Sequence, residues 1–256
     1  MNSEMEQLIE IFRNSNNMVF FGGAGMSTES GIPDFRSSNG LWNEKLKVNI
    51  KPEELVSHTY FKKYPEEFFE FYKDKLIYPK AEPNAGHIAL SKLEEMGKLK
   101  GIVTQNIDGL HQKAGSKKVC ELHGSVLRNY CTNCHTFYDE KFILESEGVP
   151  TCPKCNAIVK PDVVLYEEGL DNEVVVEAVK LISSADTLII GGTSLVVYPA
   201  AGLINYFRGK NIVLINKGFT SADSKANLII RDSIGKVLEE AVNNIYVENK
   251  RGFYEN

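Results

Sequence analysis

The chain has 256 residues, 43% of them hydrophobic and 25% charged, with a formal net charge of −5. That length can bury a substantial core, in one large domain or in a domain with an insert. An acidic chain with no basic block suits neither nucleic acid nor an anionic membrane surface, and no apolar run approaches ~18 residues, so no membrane-spanning helix is expected.

The N-terminal MNSEMEQLIE is acidic and amphipathic and lacks the shape of a signal peptide, which predicts a cytoplasmic protein. Leu8, Ile9 and Phe12 mark one face of a first helix. MVFFGGAG is a short apolar strand entering a glycine turn. Residues 52–76 are rich in Phe, Tyr, Lys and Glu, and Pro65 splits them into two predicted helices. In NAGHIALSKLEEMG, Ile88, Leu90, Leu93 and Met96 fall at near-helical spacing, and Gly97 ends the run. LKGIVTQN is a strand ending in polar residues, and KVCELHGS is another. Residues 131–155 interrupt the rhythm with two cysteine pairs. PDVVLYEE begins the next strand, followed by a helix over about 171–183, the strand TLIIGGTS and a helix after Pro199. NIVLIN, NLII, a final helix over about 234–243 and a frayed tail, ENKRGFYEN, complete the chain. Strands alternating with helices predict an α/β fold with a parallel sheet covered on both faces. Ligands of such sheets bind beyond the carboxyl ends of the strands.

Cys131-x-x-Cys134 and Cys152-x-x-Cys155 are separated by 17 residues, a spacing that can place four thiolates around one zinc ion. Four protein ligands leave no open position, so the metal is expected to be structural. Cys120 lies in an apolar strand and reads as a core residue, and His135 is redundant beside four thiolates. A zinc ribbon can also bind nucleic acid; the acidic balance and the ribbon's insertion between two strands of a larger sheet argue against that.

The glycine turn is not a full G-x-G-x-x-G, because Gly23-Ala24-Gly25-Met26-Ser27-Thr28 has Thr where the third glycine belongs. No clear strand follows at 42–47 to bring an acidic residue to a ribose. Alone, the turn is equally a plain strand-to-helix connection. GGTS at 191–194, with Thr193 and Ser194, and Asn216 after NIVLIN offer further hydroxyls and amides at strand ends. In TQNIDGLHQKAG, Gln105, Asn106 and Asp108 directly follow a strand, and His123 ends another in ELHGSV. The plain alternative makes Asp108-Gly109 a turn capped by Asn106 and leaves Gln105 without a task.

GAGMSTESGIPDFR, TQNIDGLHQKAG, ELHGS, the paired C-x-x-C knuckles, KPDVVLYEE and GTSLVVYPA together resemble the sirtuins, a family of NAD-dependent protein-lysine deacylases that includes bacterial deacetylases. The blocks stand in family order and cover nearly the whole chain. The resemblance implies one catalytic domain: a Rossmann-like parallel sheet with helices on both faces plus a small zinc-ribbon and helical subdomain. The large part would take about 1–45, 85–125 and 160–246, and the small part about 46–84 (helical) and 126–159 (zinc ribbon). It also implies NAD as co-substrate and one structural Zn2+ on Cys131, Cys134, Cys152 and Cys155.

On this resemblance the pyrophosphate lies over Gly23–Gly25 against Ala24 and Thr28, Phe35 shields the nicotinamide ribose, and Arg36 sits beside the phosphates. Asn106, Ile107 and Asp108 form the nicotinamide pocket, with Asp108 accepting the carboxamide N–H. Gln105 holds ribose hydroxyls near His123. Thr193, Ser194 and Asn216 hold the adenosine half, with a main-chain contact near Ile234. The acyl-lysine oxygen attacks the ribose carbon as nicotinamide leaves, and His123 then acts as general base on a ribose hydroxyl; Asn106 is the second catalytic residue. Free lysine and O-acyl-ADP-ribose result. The acetylated peptide adds as a strand between VVLYEE and SLVVYP. Tyr166-Glu167-Glu168 departs from the family's Phe-Gly-Glu, and Tyr72-x-x-Lys75 lacks the Arg of relatives that prefer acidic acyl groups, which predicts acetyl and other neutral acyl chains. Two other readings use the same residues: a mono-ADP-ribosyltransferase or glycohydrolase on this sheet, and an inert nucleotide sensor with a ribbon for partner contact.

Overall fold

The computed structural model describes residues 3–37, 40, 41 and 50–254, with side chains to 246. The stretch 42–47, expected to hold no strand, and residues 46–49 of the expected small part lie outside the described residues.

Six parallel strands form the main sheet: β1 (Met18–Gly22), β2 (Leu99–Thr104), β3 (Val119–Glu121), β7 (Thr187–Gly191), β8 (Asn211–Ile215) and β9 (Leu228–Ile230). Their order is β3-β2-β1-β7-β8-β9, so the chain reverses direction of travel at β1. Every residue of β1 and β7 is buried, as expected of central parallel strands covered on both faces. One face is packed by α1 (Ser3–Asn14), α5 (Ala85–Glu95) and α9 (Ile234–Tyr254), through Leu8, Phe12, Leu90, Leu93, Leu238 and Val242. The other is packed by α8 (Asn172–Ser184) and a 3₁₀ helix over Ala200–Tyr206, through Ala178, Ile182, Leu203 and Phe207. Among the described residues no helix is long and apolar enough to cross a membrane.

A second, antiparallel sheet contains β4 (Gly124–Cys131), β5 (Phe137–Tyr138) and β6 (Val159–Val163). It packs with the helices α2 (Pro52–Leu55), α3 (His58–Lys63) and α4 (Pro65–Lys75) around Phe61, Phe68, Phe69 and Tyr72. The described residues also include the short α6 (Leu110–Lys113) and α7 (Glu140–Glu145).

Several expectations are corrected. KVCELHGS is not one strand: β3 ends at Glu121 in the large sheet, and β4 begins at Gly124 in the small one. Gly124 has φ +74°, and a Cβ there would collide with the Asp162 carbonyl, so the crossing between sheets requires glycine. The strand near PDVVLYEE runs over Val159–Val163 and pairs antiparallel with β4, outside the parallel sheet. Residues 52–76 form three helices, because Ser57 caps α3 by accepting the N–H of Tyr60 at 3.1 Å. Ile88 faces solvent, 44% exposed. The final helix runs to Tyr254, past the expected end near 243 and into the expected tail ENKRGFYEN, since Val242 and Ile245 extend its apolar face and each further residue adds a backbone bond.

Candidate active site

Two glycine turns meet at the carboxyl ends of β1 and β7. Gly25 N–H donates to the Gly192 carbonyl at 2.8 Å, and Gly23 N–H to that of Gly191 at 3.3 Å. A Cβ on Gly25 would lie 2.8 Å from Gly192 Cα, and Gly192 itself has φ +59°. The missing side chains thus let one turn's backbone lie on the other's. Ala24–Met26 and Thr28–Ser30 form two 3₁₀ turns, and Thr28 Oγ1 closes the first by donating to the Gly25 carbonyl at 3.0 Å.

The segment after β2 comes to the same edge. Ser27, almost fully buried, donates to Asp108 Oδ2 at 2.6 Å and accepts from Asn106 Nδ2 at 3.0 Å. Asp108 Oδ1 accepts the Leu110 N–H at 2.9 Å, so the Asp108-Gly109 turn exists and one carboxylate serves both turn and pocket. Burial raises the Asp108 pKa, and the Ser27 and Leu110 hydrogen bonds oppose it. Ile107 is half-buried, and its carbonyl accepts the Val126 N–H at 2.9 Å. Gln105 Nε2 donates to Thr193 Oγ1 at 3.0 Å, joining this segment to the second glycine turn.

His123 sits at the crossing between the two sheets. Its Nδ1 is 2.9 Å from the Gln105 carbonyl oxygen. A carbonyl only accepts, so Nδ1 carries the proton and Nε2 holds the free lone pair of the neutral ring. Burial lowers the His123 pKa below the ordinary histidine value, with the Gln105 hydrogen bond acting in opposition. The His123 carbonyl accepts the N–H of Val164 at 3.0 Å, tying the ring's backbone to the segment after β6.

The remaining expected residues divide. Thr193 N–H donates to Asn216 Oδ1 at 3.1 Å, and Asn216 Nδ2 donates to the Gly218 carbonyl at 2.9 Å, so Asn216 braces two loops. Ser194 is exposed beside Thr193. The Ile234 side chain is buried against Gly191, which leaves its main chain as what it can offer a ligand. Asp34 Oδ1 accepts from the amides of Arg36 and Ser37 at 3.0 and 2.7 Å, shaping the turn that follows Phe35. Arg36 Nη2 donates to the Tyr166 hydroxyl at 3.3 Å.

Tyr166 pairs with the helical part through its own N–H to Val56 O and its carbonyl to His58 N–H, both 3.0 Å. Glu167 keeps the left-handed backbone, φ +75°, that a glycine would adopt freely, and its carboxylate accepts the Thr59 N–H at 2.9 Å. Glu168 accepts from Lys160 and His58 at 3.1 and 2.8 Å. Val196 and Tyr198 are exposed on the opposite segment. Tyr72 is fully buried against Phe68, and its hydroxyl has no partner among the described residues, whereas the Lys75 ammonium lies 3.5 Å from Asp74.

The four paired cysteines converge, with all Sγ atoms within 4.8 Å of one another. Cys131–Cys155 and Cys134–Cys152 are 3.3 and 3.6 Å apart. These separations approach the roughly 3.8 Å edge of a zinc–thiolate tetrahedron with bonds near 2.3 Å. Each knuckle turns through a left-handed residue after its second cysteine, His135 at φ +54° and Asn156 at φ +58°. His135 therefore shapes a turn, and the ligand-forming cluster excludes it. Cys120 is buried in the core, as expected.

Sequence reasoning missed Ser27, the hub of the pocket. Three hydroxyls and a carboxylate crowd into MSTES, but only folding brings Ser27 to partners 79 and 81 residues away.

A family model described as Sir2 family matches residues 23–199. The NAD-dependent protein deacetylase of Clostridium perfringens (strain 13 / Type A) is 74% identical over 243 residues, spanning 94% of this chain and all of the relative. That of Clostridium acetobutylicum is 59% identical over 93% of this chain and 98% of the relative. A solved Sir2 structure with a deacetylated peptide and 3′-O-acetyl ADP ribose has a TM-score of 0.86 and 38% identity, over 94% of this chain and 98% of that one. A Sir2 homologue with NAD has a TM-score of 0.85 and 37% identity, over 95% and 94%.

Proposed function

The chain belongs to the Sir2 family, and on that premise we propose that it is an NAD-dependent protein-lysine deacetylase. With one water consumed, it moves the acetyl group of lysine to the ADP-ribose part of NAD, giving free lysine, nicotinamide and O-acetyl-ADP-ribose. The observation that carries this reading is the buried Asn106–Ser27–Asp108 cluster beside Gln105, whose carbonyl holds His123.

NAD, when bound, supplies the acceptor for the acyl group and nicotinamide as the leaving group. The donor set fits it. Backbone amides and the Thr28 hydroxyl at the first glycine turn suit the pyrophosphate, with Ala24 alongside. Asn106, Ile107 and Asp108 receive nicotinamide. Asp108 has taken one hydrogen bond on each oxygen, and a carboxylate offers about four acceptor sites, so capacity remains for a carboxamide N–H. Phe35 and Arg36 would lie against the ribose and phosphates, and Gln105 would hold ribose hydroxyls. Thr193, Ser194, Asn216 and the main chain of Ile234 take the adenosine half.

His123 accepts a ribose hydroxyl proton at Nε2. Its burial keeps the ring neutral at physiological pH, the state a general base needs. The acetylated peptide lies as a strand between 164–168 and 195–198, where main-chain pairing reads few side chains. The buried Tyr72 hydroxyl and the Lys75–Asp74 contact offer no fork for a carboxylate, which favours acetyl and other neutral acyl groups.

The four cysteines hold one Zn2+ with no open position, so the metal serves folding. The catalytic domain divides into a large part around the parallel sheet and a small part that takes the helices over 52–75 and the sheet of β4, β5 and β6, so the later boundary falls after Leu165 rather than at 160. A cytoplasmic location fits the four zinc-suited thiols, and the net charge of −5 does not favour nucleic acid as a partner.

The test incubates the protein with an acetyl-lysine peptide, with and without labelled NAD. Peptide deacetylated only with NAD supports the reading. Deacetylation that is indifferent to NAD, or label fixed covalently to protein in place of acetyl transfer, contradicts it.

A further inference from the structure

The segment Ala24–Ser30, which carries the pyrophosphate residues Ala24 and Thr28, has no long element of its own, only two 3₁₀ turns. Two helix N-termini fasten it. At α5, Asn84 Nδ2 donates to the Met26 carbonyl at 2.8 Å and to Ser30 Oγ at 3.0 Å, while its Oδ1 caps the helix. At α9, Glu29 Oε1 accepts from Ser233 Oγ at 2.7 Å and from the Gly235 N–H at 2.9 Å. The two N-termini also touch each other, since a Cβ on Gly86 would lie 3.0 Å from Gly235 Cα and 2.9 Å from Met26 Cε.

Glu29 is exposed in chain terms and belongs to none of the roles given so far. Its carboxylate occupies the N-terminal end of a 21-residue helix, where negative charge is favoured. Directly beyond that bond, the Ile234 side chain packs on Gly191, which opens the second glycine turn. Glu29 therefore links the turn facing one end of a dinucleotide to the helix end and turn facing the other, 204 residues away in sequence.

We propose that Glu29 is a positioning residue for NAD, fixing the distance between the pyrophosphate turn and the adenosine-facing ends of α9 and β7. This rests on the NAD reading above. Glu29 touches neither the reacting atoms nor the peptide segments, so its effect falls on cofactor affinity. Gly235 is part of the device: a Cβ there would come to 2.5 Å from Glu29 Oε2 and push the carboxylate off the helix end.

The experiment measures ADP-ribose binding by calorimetry, KM for NAD and for acetyl-peptide, kcat and Tm. Wild type is compared with Glu29→Ala, Glu29→Gln, Ser233→Ala and Gly235→Ala. Glu29→Ala is expected to weaken ADP-ribose and raise KM for NAD about tenfold, with kcat at saturating NAD and peptide KM within about twofold. Glu29→Gln keeps an acceptor oxygen and restores most of the affinity. Gly235→Ala reproduces the KM effect with Glu29 still in place, and Ser233→Ala gives a smaller one. A Glu29→Ala or Gly235→Ala protein that melts lower but binds ADP-ribose like wild type would overturn the proposal, leaving Glu29 a helix cap. Wild type that binds no ADP-ribose would sink the cofactor reading, and this inference with it.

Discussion

His123 and Gln105 are joined by a single hydrogen bond, ring Nδ1 to main-chain oxygen at 2.9 Å, and that bond decides which imidazole nitrogen can take a proton. Because Nδ1 is committed, Nε2 is the base. His123→Ala is expected to lower kcat by roughly two to four orders of magnitude. ADP-ribose binding, measured by calorimetry, should stay within about threefold, since the glycine turns and the Asp108 pocket are untouched. A His123→Ala enzyme near wild-type rate would remove His123 from the base role.

The pH dependence follows from the same two sites. Burial lowers the His123 pKa, so the neutral base persists below the ordinary histidine value of 6.5. Burial raises the Asp108 pKa, so its carboxylate is lost earlier on acidification than an exposed one. Both losses lie on the acid side. The kcat/KM profile should therefore fall on the acid side, with the His123 ring, followed by NMR, titrating below 6.5. A His123 midpoint above 6.5 would contradict the burial argument.

Stability should show its own acid limb. His87 and His111 are buried with ring centroids 4.7 Å apart. Burial pulls His87 down to about 4, and burial together with His87 drives His111 well below the ordinary value. The unfolded chain therefore binds protons that the folded one refuses, and stability is lost as pH falls from 6.5 toward 4. For His87 alone the loss is on the order of 3 kcal/mol at the lower end. Urea unfolding at pH 7.5 and 5 should show a lower midpoint at pH 5, and His87→Gln should shrink the difference. Equal midpoints would refute this.

Metal removal should unfold the ribbon. Cys131→Ser, or a strong chelator, is expected to release one zinc per chain and lower Tm by about 10 °C or more, because a structural site contributes folding free energy. Metal analysis and calorimetry check this. A metal-free protein with unchanged Tm would show that the cysteines need no ion.

Glu167→Gly sets two small effects against each other. Glycine relieves the left-handed backbone but removes the solvent-exposed carboxylate's bond to the Thr59 N–H, two effects of opposite sign. Chemical denaturation should place the variant's midpoint close to that of wild type. A larger loss would mean that the carboxylate holds the 164–168 segment more firmly than one hydrogen bond allows.

Much of this architecture was legible in the chain. β1, β2, β7 and β8 show as short apolar runs because both faces of each are covered, and the cysteine spacing carries its own geometry. The polar strand ends Gln105, Asp108 and Thr193 point to one sheet edge for the same reason. What local pattern could not give was partnership across the sheets. KVCELHGS looks continuous because the change of sheet at His123 is set by the pairing of Ser125 with Asp162, far along the chain. Ser27 and Glu29 look like ordinary loop residues because their partners, Asp108 and Ser233, arrive only with the tertiary fold. The reach of α9 to Tyr254 was hidden by a charged stretch containing Gly252.

The central claim is that one pocket couples loss of nicotinamide to loss of the acetyl group. The most direct measurement counts products over a single time course with acetyl-peptide and NAD: free lysine peptide, nicotinamide and O-acetyl-ADP-ribose. The account predicts equal amounts of all three at every time point. Free acetate in place of the acetylated nucleotide, or nicotinamide released without matching deacetylation, would contradict it.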